Sequence, residues 1–234
     1  MLELKELQVA YGNLQILWDV SLKVNKGEIV ALLGPNGAGK TTTLKTVMSL
    51  LNLLEGEMHF DGQLINDLET HEITKMGLSY VPEDRRLFPG MTVKENLLMG
   101  GYTLGKDVVH KNMEDVFQLF PRLKERLDQY AGTMSGGERQ MLAIGRGLMT
   151  GPKMIIVDEP SLGLAPQLVE DVFKVFLDLK SRGVTILIVE QNVNRTLEIA
   201  DRAYVLEQGE IKMSGESKEM MKDEHIKEAY LGVT

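Results

Sequence analysis

Short apolar runs that alternate with polar residues, separated by glycines, characterise the first third of the chain. The runs lie at residues 2–9, 21–24, 28–33, 58–60 and 64–65. Alternation with a period of two residues is typical of β strands that bury one face, and glycines between such runs mark turns. This part of the sequence therefore predicts an antiparallel β layer near the N-terminus.

The middle of the chain has a helical pattern instead, because apolar residues recur every three or four positions. Helices are predicted at residues 92–99 and 108–120, with Pro121 ending the second, and at about 135–150. Because these helices follow one another without an intervening strand signal, we interpret residues 85–150, roughly, as a helical insert.

Strand and helix signals alternate in the last third, at residues 154–157, 168–180 and 185–189. A strand–helix–strand order is typical of a parallel sheet. A further helix, at 40–51, follows a glycine-rich turn in the first third. We therefore predict an α/β fold in which one domain, residues 1–234, combines a parallel-sheet core with the antiparallel layer and the helical insert.

Composition and charge exclude several classes of site. The chain has 234 residues, a formal net charge of −8 and no cysteine. Disulfides, thiolate zinc sites and iron–sulfur clusters are thus excluded, and the acidic balance argues against nucleic acid as a partner. The apolar runs are too short to cross a bilayer, so any membrane role is expected to be peripheral. The segment of residues 216–229, which is rich in acidic residues, predicts a solvated C-terminal helix.

A glycine-rich loop follows the apolar run at residues 28–33 and matches the pattern G-x-x-x-x-G-K-[ST]. Its residues, with the threonine after them, are Gly34, Pro35, Asn36, Gly37, Ala38, Gly39, Lys40, Thr41 and Thr42. Strand, loop and helix in this order place backbone N–H groups and a helix N-terminus around phosphate oxygens. Lys40 would reach the β- and γ-phosphates, and Thr41 would hold Mg²⁺. The alternative, a glycine-rich turn beside a surface lysine, explains the spacing less well.

Two acidic residues, Asp158 and Glu159, end the apolar run that begins at Met154. Ligands of open parallel sheets bind at the carboxyl ends of the strands, which would place both acids beside the phosphate loop. Asp158 would then orient Mg²⁺, and Glu159 would polarise the attacking water as a general base. Two solvated acids at a strand end are the alternative. A guanine-specific N-K-x-D pattern is absent from the chain, which favours ATP over GTP.

A serine followed by two glycines begins the third predicted helix, in the segment Thr133–Gln140. Ser135 and Glu138 have the spacing of a capping box, which is the structural interpretation. Glycine, however, costs about 1 kcal/mol relative to alanine inside a helix, so Gly136 and Gly137 need a reason to be there. Close approach of the backbone to an anion outside the chain is one such reason, since a helix N-terminus attracts anions. A second phosphate-binding edge suggests a site shared between two subunits.

The segment Met-Ser-Gly-Gly-Glu-Arg-Gln resembles the signature sequence of ABC transporter ATP-binding subunits, and the other elements of that family follow in order over the whole chain. The resemblance implies the P-loop NTPase (RecA-like) fold. It also implies that two domains face head to tail and enclose two ATP molecules. Each ATP would contact Lys40 and its loop in one subunit and Ser135, Gly136, Gly137 and Glu138 in the other. Mg²⁺ would be the metal cofactor.

Other positions follow from the same resemblance. Tyr11 lies where the family has the aromatic residue that stacks on adenine. Glu83 stands where most members have a glutamine that senses Mg²⁺ and the membrane subunit, so it is a candidate metal and catalytic contact. Gln191 stands where most have a histidine that contacts the γ-phosphate, and it is a candidate catalytic residue. The family's aspartate between the two sites is replaced at or near Ala165.

Several longer segments resemble the F-type ATPase subunit of branched-chain amino-acid importers, notably those beginning at Tyr80, Glu159 and Ile188. The ATPase of urea and short-chain amide importers shares most of these segments and is the alternative. A non-transport ABC ATPase acting on nucleic acid is less consistent, because the chain has no coiled-coil insertion, second cassette or basic patch.

The resemblance also implies partners and a location. Two transmembrane permease subunits and a second ABC ATPase subunit, or a second copy of this chain, would complete the transporter. A substrate-binding protein would be an indirect partner, and nucleic acid is not expected. The chain would then be a peripheral protein on the cytoplasmic face of the cell membrane.

Overall fold

The computed structural model describes residues 1–226 and contains two β sheets and a group of helices. Its strands are β1 (Leu2–Tyr11), β2 (Leu14–Val24), β3 (Ile29–Leu33), β4 (Glu55–Phe60), β5 (Gln63–Leu64), β6 (Leu78–Val81), β7 (Met154–Asp158), β8 (Thr185–Glu190), β9 (Arg202–Glu207) and β10 (Glu210–Glu216). Its α helices are α1 (Lys40–Val47), α2 (Thr70–Lys75), α3 (Val93–Gly100), α4 (Lys106–Leu119), α5 (Pro121–Glu125), α6 (Gly136–Leu148), α7 (Pro166–Ser181), α8 (Val193–Ile199), α9 (Ser217–Met220) and α10 (Glu224–Ile226).

The two sheets confirm the predicted α/β fold. The first is four-stranded and antiparallel, in the order β2-β1-β4-β5, and the second is six-stranded, in the order β10-β9-β3-β8-β7-β6. In the second sheet all neighbouring pairs are parallel except β9 and β10. β6, β9 and β10 have no counterpart in the sequence prediction. β6 has only four residues and β10 has no buried residue, so these two strands give weak periodicity.

The central strands of the large sheet are buried on both faces. All residues of β3, β7 and β8 are buried, including the polar ones. Ile29, Ala31 and Leu33 belong to one apolar cluster, while Val30 and Leu32 belong to another that also contains the buried side of the antiparallel sheet. Continuous apolar runs are typical of parallel strands covered on both faces. The sheet is therefore a rigid base for the loops at its carboxyl edge.

Four α helices, α3 to α6, connect β6 to β7. α6 packs against α3, α4 and α5 and also against β6 and β7, so it joins this helical group to the sheet. We propose that this connection is the helical subdomain. The sequence predicts that Pro121 ends the helix at residues 108–120. α4 does end at Leu119, but Pro121 itself begins α5, a position where its missing N–H is not needed.

The end of α1 differs from the prediction. The helix expected to reach residue 51 ends at Val47, because Ser49 adopts a left-handed conformation with φ 52°. The amides of Ser49 and Leu50 donate to the carbonyl oxygens of Thr46 and Lys45, which is the hydrogen-bond pattern of a Schellman end.

The single acidic helix predicted for residues 216–229 is wrong for its described part, which consists of α9 and α10. The carboxylate of Asp223 accepts a hydrogen bond from the amide of Ile226, so Asp223 starts a new turn instead of continuing α9. Met220 and Ile226 are buried and fix the two short helices to the domain. Residues 227–229 lie outside the described part of the chain.

Gly34 is expected to tolerate no side chain. Its φ is +152°, and a Cβ atom there would lie 2.1 Å from the carbonyl oxygen of Leu206. Overpacking against a backbone atom, together with backbone strain, should lower the free energy of unfolding of Gly34→Ala by about 2–4 kcal/mol. Gly37→Ala is the matched control, because Gly37 has φ +80° but nothing within 4 Å of its Cβ position. Urea denaturation without nucleotide should show a loss of only about 1 kcal/mol for Gly37→Ala. Equal losses would contradict the packing argument.

Candidate functional site

The candidate site lies at the carboxyl edge of the large sheet. Leu33, the last residue of β3, pairs with Glu190 of β8, and Asp158 of β7 pairs with Val189 of β8. Val81, the last residue of β6, pairs with Val157. Because the strands are parallel, the residues that follow them leave the sheet at the same edge. The register thus brings the phosphate loop (residues 34–41), Glu159, Gln191 and Glu83 to one side of the sheet.

Lys40 and Glu159 form a buried ion pair at this edge. Lys40 Nζ lies 3.3 Å from Glu159 Oε1, and the two side chains are 5% and 6% exposed. Lys40 Nζ also donates hydrogen bonds to the carbonyl oxygens of Gly34, at 2.8 Å, and Pro35, at 3.1 Å. An ammonium group surrounded by oxygens at the start of a helix is suited to hold phosphate.

Glu159 has an unusual backbone conformation, with φ 48°, in a region that residues other than glycine adopt rarely. Its amide donates to the carbonyl oxygen of Val189 at 2.8 Å, and its carbonyl oxygen accepts from the amide of Leu162 at 3.1 Å. These bonds hold the turn in place, so the side chain points to Lys40 instead of following the alternation of β7. Strained backbone at a buried carboxylate is consistent with a functional position.

Asp158 is the most buried of the acidic residues near Lys40. Tyr80 Oη donates a hydrogen bond to Asp158 Oδ2 at 3.2 Å, whereas the buried Oδ1 makes no hydrogen bond of good geometry. Burial raises the pKa of Asp158 to about 6. The hydroxyl groups of Thr41 and Tyr80 oppose this increase, and the negative charges of Glu159 and Glu83 add to it.

These features fit a magnesium ion. A buried carboxylate oxygen without a hydrogen bond of good geometry costs free energy, and a cation ligated to it would remove that cost. Mg²⁺ in nucleotide sites usually takes one or two protein oxygens and completes its shell with phosphate and water. Thr41 and Asp158 would supply these oxygens. Glu83 is exposed, yet its charge acts on Asp158, so it lies close enough to influence the same ion.

The charge of Asp158 is expected to destabilise the nucleotide-free protein. A folded pKa of about 6 exceeds the ordinary value of 3.8, so the folded state binds this proton more tightly than the unfolded state. The contribution of Asp158 to the free energy of unfolding is therefore greatest below pH 4 and falls as the pH rises through 6. The difference in pKa corresponds to ~3 kcal/mol at most. Asp158→Asn should accordingly be more stable than the parent at pH 7.5.

Urea denaturation between pH 4.5 and 8, without metal or nucleotide, tests this expectation. The stability difference between Asp158→Asn and the parent should grow with pH and level off above about pH 7. Asp128→Asn, at an exposed position, is the control and should show no such growth. A difference independent of pH would show that the charge is not the cause.

Glu190 is a buried carboxylate that the sequence analysis did not identify as a site residue. It is 1% exposed, and its Oε1 accepts from the amide of Ser161 at 2.8 Å, while Oε2 accepts from the amide of Gln191 at 3.2 Å. Burial raises the pKa of Glu190, and its hydrogen bonds with Ser161 oppose that increase. Glu190 thus connects the turn after Glu159 to the turn that carries Gln191. The signal in the sequence that could have identified Glu190 is its position as an acidic residue at the end of an apolar strand.

Ser135, Gly136, Gly137 and Glu138, the signature segment, lie on a different part of the fold from Lys40. Ser135 is the N-cap of α6, and its amide and hydroxyl exchange hydrogen bonds with Glu138. The backbone amide of Ser135 lowers the pKa of Glu138, which also pairs with Arg126 at 2.9 Å. The capping box is thus present.

The two glycines of the signature segment have different surroundings. A Cβ atom on Gly137 would lie 2.4 Å from Leu168 Cδ1, so the absence of a side chain at this position makes room for Leu168 of the same chain. Nothing lies within 4 Å of the Cβ position of Gly136. Packing within the chain therefore gives no reason for a glycine at position 136, which leaves the close approach of a group from outside the chain as the explanation.

Tyr11 and Gln191 are both exposed. Tyr11 is the last residue of β1, at the turn into β2, and its side chain is 47% exposed. β2 packs on the phosphate loop, since a Cβ atom on Gly39 would lie 2.6 Å from Leu17 Cδ2. Gln191 immediately follows Glu190, the partner of Leu33, and so lies level with the start of the phosphate loop.

Comparison with known proteins shows what the chain resembles. The family described as ABC transporter matches residues 17–162. The chain is 47% identical to the high-affinity branched-chain amino acid transport ATP-binding protein BraG of Pseudomonas aeruginosa, over 99% of this chain and 100% of that protein. It is 37% identical to the lipopolysaccharide export system ATP-binding protein LptB of Haemophilus influenzae, over 99% of this chain and 97% of that protein.

The chain is also similar to solved structures of ATP-binding cassettes. The ADP conformation of an ATP-binding cassette of an ABC transporter matches with a TM-score of 0.88 and 32% identity, covering 100% of this chain and 99% of that one. A dimeric post-hydrolysis cassette bound to ADP and Pi matches with a TM-score of 0.83 and 26% identity, covering 93% of this chain and 99% of that one.

Proposed function

The chain belongs to the ABC transporter family of ATP-binding cassettes and is an ATPase, and on this premise we propose that it energises the uptake of branched-chain amino acids. The observation that supports this cargo is the match to BraG, which is 47% identical over 99% of this chain and 100% of that protein, against 37% identity for LptB. Cargo specificity belongs to subunits that this chain does not encode, so the cargo is inferred by analogy with the relative.

Hydrolysis is assigned to the residues around Lys40. Glu159 takes a proton from the attacking water, which bonds to the γ-phosphorus as the bond from that phosphorus to the β–γ bridging oxygen breaks, giving ADP and phosphate. Lys40 stabilises the charge on the transferred group. Mg²⁺, held by Thr41 and Asp158, would neutralise charge on the phosphate oxygens. Glu83 would act on the same ion.

Because Lys40 and Glu159 form an ion pair, ATP has to bind before Glu159 can act as the base. Glu159 Oε1 lies 3.3 Å from Lys40 Nζ, so this oxygen faces the ammonium group and is not free to contact an attacking water. Triphosphate competes for the same ammonium group through charge-assisted hydrogen bonds. Binding of ATP therefore draws Lys40 away from Glu159 and releases the carboxylate to accept a proton from water.

A second subunit completes the nucleotide site in this proposal. Related cassettes form dimers, and the open face of Gly136 at the N-terminus of α6 is available to a phosphate from another chain. Tyr11 would stack on adenine from the chain that supplies Lys40. The partner is a second ABC ATPase subunit or a second copy of this chain.

A surface groove beside the helical group is the proposed contact with the permease subunits. Its lining includes the exposed side chains of Phe88, Met99 and Tyr102, of which Tyr102 is 76% exposed. Within residues 1–226, no helix has the length and apolar character that a bilayer span requires. Aromatic residues and methionine are enriched in protein interfaces, and a short cytoplasmic helix of a permease is the occupant we propose. The chain would then be peripheral, on the cytoplasmic face of the membrane.

Uptake measurements in the source organism test the proposed cargo. Deleting the gene should reduce initial uptake of labelled leucine, isoleucine and valine, and the parent gene on a plasmid should restore it where Lys40→Ala does not. Loss of urea uptake or of lipopolysaccharide at the cell surface, with leucine uptake unchanged, would overturn the proposal in favour of one of those cargoes.

Gln191→His is expected to increase the ATPase rate of the isolated protein by about three- to tenfold. A glutamine amide donates a neutral hydrogen bond to the γ-phosphate, whereas an imidazolium donates a charge-assisted bond that is roughly twice as strong. Steady-state ATPase assays give the rates. Asn194→His, at an exposed position of α8, is the control for a new imidazole nearby. A slower Gln191→His variant would show that the glutamine is an adapted contact.

A further inference from the structure

The loop that carries Glu83, residues 82–88, has a strained backbone. Arg85 and Arg86 are consecutive residues with φ 61° and 44°, in the left-handed region. This region costs a residue with a side chain roughly 1–2 kcal/mol, so two such residues in succession must be stabilised by their surroundings. Neither position is a glycine, although glycine would adopt the conformation without that cost.

Arg146 of α6 supplies part of that stabilisation. Its two terminal nitrogens donate to the carbonyl oxygens of Arg86, at 2.8 Å, and Arg85, at 3.0 Å. Its guanidinium also lies over the ring of Phe88, 5.4 Å from the centroid. The backbone of the Glu83 loop is thus attached to the helix that begins with the signature segment.

The side chain of Arg85 makes a second link to α6 and also contacts the turn after Glu159. Its Nε donates to Gln140 Oε1 of α6 at 2.7 Å, and its Nη2 donates to the carbonyl oxygen of Leu162 at 3.2 Å. Leu162 belongs to the turn after Glu159 and donates its own amide to the Glu159 carbonyl oxygen. One guanidinium therefore connects the Glu83 loop, α6 and the turn that holds Glu159.

Gln140 is oriented for this contact at a cost. Its side chain is 1% exposed, and its Nε2 is buried without a hydrogen-bond partner. Turning the amide over would place that donor against the N–H of Arg85, so the guanidinium fixes the orientation. A buried unpaired donor costs about 1–3 kcal/mol. Such a cost is consistent with a contact that positions the guanidinium of Arg85.

We propose that Arg85 is a positioning residue for hydrolysis, which holds residues 159–165, and through them Glu159, in register with the Glu83 loop and α6. This inference rests on the proposed role of Glu159 as the base. Lysine cannot replace Arg85, because it has one ammonium group where the guanidinium reaches two acceptors in a fixed fork. Since Phe88 and Arg146 line the proposed permease groove, an occupant of that groove would act on Glu159 through the same contacts.

Hydrogen exchange and kinetics on Arg85→Lys and Arg85→Ala test the inference. Arg86→Ala is the matched control, since Arg86 is the adjacent left-handed residue and its side chain pairs with Asp84, outside the bridge. In both Arg85 variants we expect faster amide exchange in residues 159–165 of the nucleotide-free protein. We also expect kcat for ATP hydrolysis to fall about tenfold with little change in KM, because displacing a catalytic group affects the chemical step. Arg86→Ala should match the parent in both measurements.

Two outcomes would overturn the inference. Unchanged exchange in residues 159–165 would show that Arg85 does not hold this turn, and faster exchange with an unchanged kcat would show that holding it does not position the base. A fall in kcat that follows a general loss of stability, measured by urea denaturation, would also count against it. If Glu159→Gln hydrolysed ATP like the parent, the assignment of the base would fail instead, and the exchange data would still decide whether Arg85 holds the turn.

Discussion

Lys40→Ala is expected to lose ATP hydrolysis by at least about 10²–10³-fold, the usual effect of removing a preorganised group that stabilises transition-state charge. Lys40 is buried, and its ammonium group points to the carbonyl oxygens of Gly34 and Pro35 and to Glu159, so the substitution removes a positive charge held at a fixed place in the site. Nucleotide affinity should fall as well, because in the proposed site the ammonium group also contacts the phosphates of ATP. Phosphate release and binding of a fluorescent ATP analogue measure the two effects.

Lys45→Ala is the control for this variant. Lys45 lies in the last turn of the same helix, and its side chain is only partly buried. The control should keep the parent rate within a factor of about two, as surface substitutions usually do. If Lys40→Ala hydrolysed ATP at the parent rate, the assignment of residues 34–41 as the phosphate loop would be wrong.

Glu159→Gln is expected to bind ATP but to hydrolyse it at least about 10²-fold more slowly, because an amide cannot accept the proton from water. The substitution also removes the negative partner of Lys40, so ATP no longer competes with an ion pair for the ammonium group. ATP affinity should therefore be equal to or higher than that of the parent. If two copies of this chain share the nucleotide sites, ATP should convert the variant from monomer to dimer.

Size-exclusion chromatography with light scattering, with and without ATP and Mg²⁺, measures the dimer. The double variant Lys40→Ala/Glu159→Gln is the control and should stay monomeric, since it would lack the proposed contact to the triphosphate. A monomer in every condition would exclude self-pairing under those conditions and favour a different ATPase subunit as partner. A parent-like rate in the single variant would remove Glu159 from the role of base.

The parts of the site that could be predicted are those with local signals. The phosphate loop has its glycines, lysine and threonine within eight positions, directly after a buried strand, and Asp158 and Glu159 end another such strand. The carboxyl-edge rule for parallel sheets then places the two segments together without any knowledge of the register.

Residues whose role depends on long-range contacts could not be predicted in this way. Tyr80 reaches Asp158, and Arg85 reaches Leu162, across 78 and 77 positions of the chain. Glu190 meets Ser161 because β7 and β8 pair in one particular register. Gly137 shows the converse, since a glycine ascribed to an external anion also makes room for the side chain of Leu168 in the same chain. In each case the deciding neighbour is set by packing.

The position of β3 in the large sheet has a consequence for synthesis of the protein. β3 is among the first strands to be made, yet its two neighbours are β8 and β9, so Ile29 pairs with Ile186 and Val30 with Arg202. At ribosomal rates of about 5–20 residues per second, this apolar strand waits on the order of ten to thirty seconds for its partners. The antiparallel sheet, complete by Leu64, can form earlier. A nascent chain that stops before β8 would therefore expose both edges of β3, cannot yet assemble the phosphate site, and is a natural client for chaperones and proteases.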